Sequence, residues 1–169
     1  FEMAGPLVEK YGGKIDKIME NTLTILFGLP TASEDAPKEA VNTAIAIRSH
    51  LCRFNLENRL EIPLDIHTGI NTGMVITGAI NAHEKKDYMM MGDTVTLASQ
   101  LTGLTGNGEI YVGPLTYTHT NKEFDYSELK PILPEGKTKP LRIFKLLSTK
   151  EKMYRSGLGP EGMIDPEMV

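Results

Sequence analysis

Leu23, Ile25 and Phe27 alternate with Thr22, Thr24 and Leu26, the two-residue period of a strand with one face buried. The run Lys14 to Met19 precedes them, so the pattern predicts a hairpin whose turn carries Glu20 and Asn21. Ahead of it Phe1, Ala4, Leu7 and Val8 fall on one stripe at helical spacing, and Gly12-Gly13 stops that helix. Residues 30–35 read as a loop. Ser33 or Asp35 is placed to cap a helix with Pro37 in its first turn, and Val41, Ala44, Ile45, Ile47, Arg48 and Leu51 carry it to about Phe54.

Two apolar runs, 64–71 and 74–80, are joined through Thr72-Gly73 and predict a second hairpin. Asn81 to Asp87 is polar and reads as a loop, Tyr88 to Met91 as a short strand ended by Gly92. Asp93 or Thr94 then caps a helix burying Val95, Leu97, Ala98 and Leu101. A strand over 109–112, a short helix from Pro114, and closing strands over 124–132 and 141–147 complete the pattern. Hairpins mixed with helices that cover a sheet predict an α+β fold rather than a run of βαβ units. From Ser148 the chain turns to Gly, Pro, Met and charge without periodicity, so 1–147 reads as one domain and 148–169 as a flexible tail or linker.

Length changes this little: 169 residues suit one domain. A net charge of -4 with scattered basic residues gives no footprint for nucleic acid, so an anionic ligand must be held by a few placed cations. The single cysteine, Cys52, reads as a small core residue of a protein from a reducing compartment. No apolar run is long enough to span a bilayer and no signal pattern opens the chain, which predicts a soluble, cytoplasmic protein.

Three segments in order resemble the catalytic domain of the class III adenylate and guanylate cyclases: YGGKIDKIMENTLTILFG (11–28), GINTGMVITG (69–78) and MGDTVTLASQL (91–101). A fourth, EGKTKP (135–140), is similar to the family's Lys-Gly-Lys loop. The resemblance covers nearly the whole chain. It implies a ferredoxin-like α+β domain, mostly antiparallel sheet covered by helices, with the family's first strand missing ahead of Phe1. It further implies a head-to-tail dimer with active sites at the subunit interface, where ATP or GTP is cyclised and pyrophosphate expelled. That chemistry uses two Mg²⁺ or Mn²⁺ ions between carboxylates and phosphates.

By the same resemblance, one metal-binding aspartate lies in the first strand and the other stands where this chain has Asn21, with Glu20 at the usual turn glycine. Glu20 is the alternative metal ligand, by a one-residue shift. Thr96 and Gln100 occupy the positions of the transition-state asparagine and arginine. Lys17 matches the base-selecting lysine and Lys137 the triphosphate lysine, although both also fit solvated surface lysines. Met89 stands where that base-selecting lysine's partner, an aspartate or threonine, is found, which leaves adenine preference half supported. His67 reads as structural and Met89-Met90-Met91 as core or interface packing.

An amide is a weaker Mg²⁺ ligand than a carboxylate, and glutamine brings neither charge nor a bidentate fork to a phosphoryl transition state. These substitutions predict a catalytically impaired or inactive regulatory copy that binds nucleotide weakly if at all, as a homodimer or with another cyclase domain. The alternative is an active cyclase whose missing carboxylates come from a partner chain. A diguanylate-cyclase-like reading rests only on Tyr11-Gly12-Gly13, since Lys14-Ile15-Asp16 follows where the acidic signature belongs.

Overall fold

The computed structural model describes residues 1–82 and 85–150, with the side chains of 76–91 left aside. Helix α1 (Ala4–Lys10) ends where Gly12 takes a left-handed φ of 78°. Gly13 N–H then donates to Val8 O at 2.8 Å and turns the chain into the first hairpin, β1 (Lys14–Met19) and β2 (Thr22–Leu26). The hairpin is antiparallel, as the alternation predicts, and a register shift between Ile15 and Lys17 bulges β1 just before the lysine.

Helix α2 (Ala36–Asn58) runs past Phe54 and closes at Arg59, which adopts a left-handed φ of 46°. Asp35 occupies its N-cap, yet neither candidate side chain caps it; instead Asp35 N–H donates to Ser33 Oγ at 3.2 Å. Cys52 is exposed, contrary to the core position expected of it. The apolar run around it is periodic only on the faces that meet the sheet, and Cys52 lies on the outer face.

The second predicted hairpin does not form. Strand β3 (Thr68–Ile70) pairs in parallel with β6 (Ile110–Val112), while β4 (Ile76–Ala82) pairs antiparallel with β5 (Lys85–Met91). The reason lies in the link 71–74. Asn71 Nδ2 donates to Thr94 O at 3.1 Å, Thr94 Oγ1 donates to Met74 O at 2.6 Å, and Thr72 and Thr116 share a 2.8 Å hydroxyl contact. The segment is pinned to neighbouring helices instead of reversing. Of the polar run 81–87, expected as a loop, 81–82 and 85–87 are strand ends instead, because a backbone ladder needs no apolar alternation, and 83–84 lie outside the described residues.

Helix α3 (Asp93–Leu104) begins after Gly92, which holds φ at 133° and is the N-cap residue in place of Asp93 or Thr94. Of its apolar residues only Leu101 is fully buried. Gly69 of β3 lies so close beneath α3 that an added Cβ would sit 2.4 Å from Ala98 O. Helix α4 (Pro114–Thr120), β7 (Phe124–Glu128) and β8 (Phe144–Thr149) follow, with Ile132 and Leu141 bridged between the last two. Strand β8 reaches two residues past the expected boundary at 147, and residues 151–169 of the predicted tail lie outside the described residues.

Among the described residues the sheets are β1-β2, β3-β6-β8-β7 and β4-β5, all antiparallel but for β3-β6. The core gathers Val41 and Ala44 of α2 onto Ile110, Val112, Phe124, Phe144 and Leu146. Tyr117 stacks on Phe144, ring centroids 3.8 Å apart, and meets Tyr126 edge-on at 5.5 Å. Burial of this cluster, at roughly 25 cal/mol per Å² of apolar surface, is the main force holding α2 and α4 to the sheet.

Candidate functional site

Two groups of candidate residues emerge, on separate elements of the fold. The first is the β1-β2 turn. Glu20 stands at the turn with a left-handed φ of 48°, a conformation that favours glycine. Asn21 follows it, exposed, its Oδ1 facing Thr22 Oγ1 at 3.4 Å. Lys17 is exposed on β1, opposite Thr24.

The second group is built on α3. Thr94, Val95, Ala98 and Thr102 line an internal cleft, and Thr96 and Gln100 do not. Helical spacing puts Asp93, Thr96 and Gln100 together on the other face. Thr96 is exposed, with Oγ1 3.3 Å from Gly92 O, and Gln100 is half-buried. Lys137 reaches this face from the far loop. Its turn is set by Gly136, at φ 76°, and by a 3.0 Å bond from Lys137 N–H to Pro134 O. From there Lys137 Nζ donates to Asp93 Oδ2 in an exposed ion pair.

Sequence reasoning considered Asp93 only as a helix cap and missed this pairing. The one signal available was that EGK and GDT both matched motifs of the same family. Met89 pairs through its backbone with Gly78, and its side chain lies outside what the structure describes, as does the packing expected of Met89-Met90-Met91. His67 Nδ1–H donates to Thr105 O at 2.8 Å and fixes the loop after α3, which agrees with a structural role.

The sequence profile of the adenylate and guanylate cyclase catalytic domain matches residues 6–153. The chain belongs to that family. Adenylate cyclase 1 of Rhizobium meliloti (strain 1021) is 29% identical over 106 residues, 62% of this chain and 16% of that protein. The aggregation-specific adenylate cyclase of Dictyostelium discoideum is 29% identical over 137 residues, 80% of this chain and 9% of its own length. This cyclase-family chain thus spans less than a fifth of either relative.

Among solved structures, the adenylyl cyclase CyaB from P. aeruginosa superposes with a TM-score of 0.82 at 28% identity, covering 89% of this chain and 79% of that one. The guanylyl cyclase domain of RhGC from Catenaria anguillulae, in complex with GTP, shares the fold at TM-score 0.77 and 20% identity, over 88% and 80%. The α+β architecture is therefore that of the cyclase catalytic domain.

The family generally uses a divalent metal. Here the turn offers one carboxylate, Glu20, and one amide, Asn21, and among the described residues no three His, Cys, Asp or Glu side chains converge as a metal site. The described residues do not by themselves fit a two-metal centre. Among the described residues, no helix is long and apolar enough to cross a membrane.

Proposed function

We propose that this cyclase-family domain is a catalytically impaired or inactive regulatory copy in cyclic-nucleotide signalling, which binds ATP or GTP weakly if at all. The observation that carries this reading is the outer face of α3. It presents a hydroxyl at Thr96 and a neutral amide at Gln100, and the cation that reaches it, Lys137, is paired with Asp93. Cyclisation develops negative charge on the α-phosphate, where a pre-aimed positive charge stabilises the transition state and losing even one hydrogen-bond donor costs about 2.7 to 4 kcal/mol. Neither Thr96 nor Gln100 can supply that charge, and Asn21 weakens metal binding at the turn.

On the family's pattern the site is completed by a second domain, as homodimer or heterodimer, and the placement of the candidate residues on two different elements, the β1-β2 turn and α3, is compatible with that. A solved relative from Blastocladiella emersonii is described as a dimeric guanylyl cyclase domain and another as monomeric, so association here is to be measured by sedimentation. Cytoplasmic residence goes with this reading, since Cys52 is an exposed free thiol.

The retained lysines, Lys17 and Lys137, favour one second reading: an active cyclase whose carboxylates, and the Mg²⁺ or Mn²⁺ they hold, come from a partner chain. The purified chain, incubated with ATP or GTP and either metal, separates the readings. No cyclic nucleotide above background is expected; robust formation overturns the proposal. Formation only on adding a second cyclase domain that is itself inactive alone establishes the second reading.

A further inference from the structure

Asn107 is the one asparagine of the chain that glycine follows. It is exposed, in the turn between α3 and β6. Ile66 N–H donates to Asn107 Oδ1 at 3.2 Å, and Gly108 N–H donates to Ile66 O at 2.7 Å. The next rung along the same parallel ladder, Thr68 N–H to Glu109 O at 3.3 Å, joins backbone to backbone. The Asn107 side chain thus stands in for a main-chain carbonyl and adds a rung ahead of β3, as a short side-chain amide readily does.

The turn is tied down on both sides of this residue. Gly106 N–H donates to Glu109 Oε2 at 2.8 Å, Glu109 N–H donates to Gly106 O at 3.1 Å, and Arg48 of α2 donates from Nη1 to Gly108 O at 3.1 Å. Gly108 holds a left-handed φ of 74°, and with no side chain it leaves its own nitrogen uncrowded. Asn21 is exposed too, but Thr22 follows it, and a branched Cβ crowds the next nitrogen.

We propose that Asn107 is a site of spontaneous deamidation and isomerisation, and that its two bonds to Ile66 set the rate. Gly108 N attacks Asn107 Cγ, the N–Cγ bond forms, the Cγ–Nδ2 bond breaks, and ammonia leaves with the proton of Gly108. Water then opens the cyclic imide. Cleavage of the N–Cγ bond leaves aspartate at 107; cleavage between that nitrogen and the Asn107 main-chain carbonyl leaves isoaspartate, with the backbone routed through the side chain. The net change is water taken up and ammonia released, and no oxidant is needed. Ile66 holds both reacting groups: the proton that Gly108 gives up is bonded to Ile66 O, and the side-chain carbonyl under attack is bonded to Ile66 N–H. The reaction therefore waits for both bonds to open and follows the population of the open turn. Isoaspartate lengthens the main chain and moves the acceptor away from Ile66, so the rung ahead of β3 is lost for good. This holds whether or not the domain turns over nucleotide.

The test incubates three samples side by side at mildly alkaline pH: the folded 169-residue chain, the same chain in urea, and a peptide spanning Leu104 to Tyr111. Peptide mapping by mass spectrometry follows the amide-to-acid mass gain at Asn107, and labelling with an isoaspartyl methyltransferase counts isoaspartate. The peptide and the urea sample are expected to react at similar rates, and the folded chain about tenfold or more slowly, with Asn107 its leading site. Arg48→Gln, which frees Gly108 O, is expected to bring the folded rate toward that of the peptide and to leave the urea rate alone. A folded rate equal to the peptide's overturns the control by Ile66. No Asn107 product in the folded chain after many peptide half-lives, or faster reaction at another asparagine, overturns the site. Should Arg48→Gln fail to fold, amide hydrogen exchange on the unmodified sequence before and after incubation takes its place: Ile66 N–H is expected to exchange faster in the isoaspartate form, and unchanged exchange overturns the loss of the rung.

Discussion

Lys137 and Asp93 are bound to each other across 44 residues of sequence, so the loop that carries Lys137 is tied to the first turn of α3. The pair is exposed on both sides, 48% and 79%, where such bonds contribute little to stability. Its consequence is electrostatic: the lysine that we propose for the triphosphate already has a carboxylate as partner. Asp93→Asn should free it. Binding of inorganic pyrophosphate, followed by calorimetry at low salt, is expected to tighten by roughly two- to fivefold, with the gain lost at high salt. Unchanged affinity in Asp93→Asn would mean that Lys137 does not face the ligand.

Gly69→Ala tests the joint between β3 and α3. A Cβ at Gly69 would lie 2.4 Å from Ala98 O and 2.5 Å from Thr102 N, both backbone atoms of α3. Neither can swing aside as a side chain does, so the helix must shift bodily, at a cost of about 1 to 3 kcal/mol. Urea unfolding should show a lower midpoint with an unchanged slope.

Acid stability should depend on Glu109. Its carboxylate accepts from Lys145 Nζ at 2.8 Å and from Gly106 N–H at 2.8 Å, with the Tyr111 hydroxyl nearby as a further, weaker influence. These bonds, Lys145 first, lower its pKa from 4.5 to about 2. A depressed carboxylate contributes stability that is fully present above its unfolded pKa and lost as pH falls through the folded one. The loss therefore falls between about pH 4.5 and 2. Thermal melts of Glu109→Gln should start lower at neutral pH and change less across that window.

The sequence made the local elements legible wherever one residue's neighbours decide its state. The Leu23/Ile25/Phe27 alternation and the Gly12 stop predicted the first hairpin correctly, and the helices from Pro37 and Pro114 are where the pattern put them. It failed where the partner was distant. Nothing in GINTGMVITG says that Asn71 will bond to Thr94 O, a contact that accompanies the crossing of β3 to a parallel neighbour in place of a hairpin. The site divides the same way. Asn21, Thr96 and Gln100 drew notice only through the resemblance of their segments to the cyclase family, whereas the Lys137–Asp93 pair joins a loop to a helix start and became visible only in three dimensions.

If the outer face of α3 and the β1-β2 turn are what hold catalysis back, restoring them should bring it in. Asn21→Asp returns a carboxylate to the turn, Thr96→Asn a side-chain amide, and Gln100→Arg a charged fork. All three act on one transition state, so their effects should be strongly non-additive, each change alone giving little cyclic nucleotide and the triple variant the most. The charge at position 100 has room, because Gln100 is half-buried at the surface of α3 and not in the core cluster. The measurement is metal-dependent formation of cyclic AMP or cyclic GMP by the triple variant. A triple variant that folds, binds ATP and Mg²⁺ and still makes no product would place the defect elsewhere than in these three side chains.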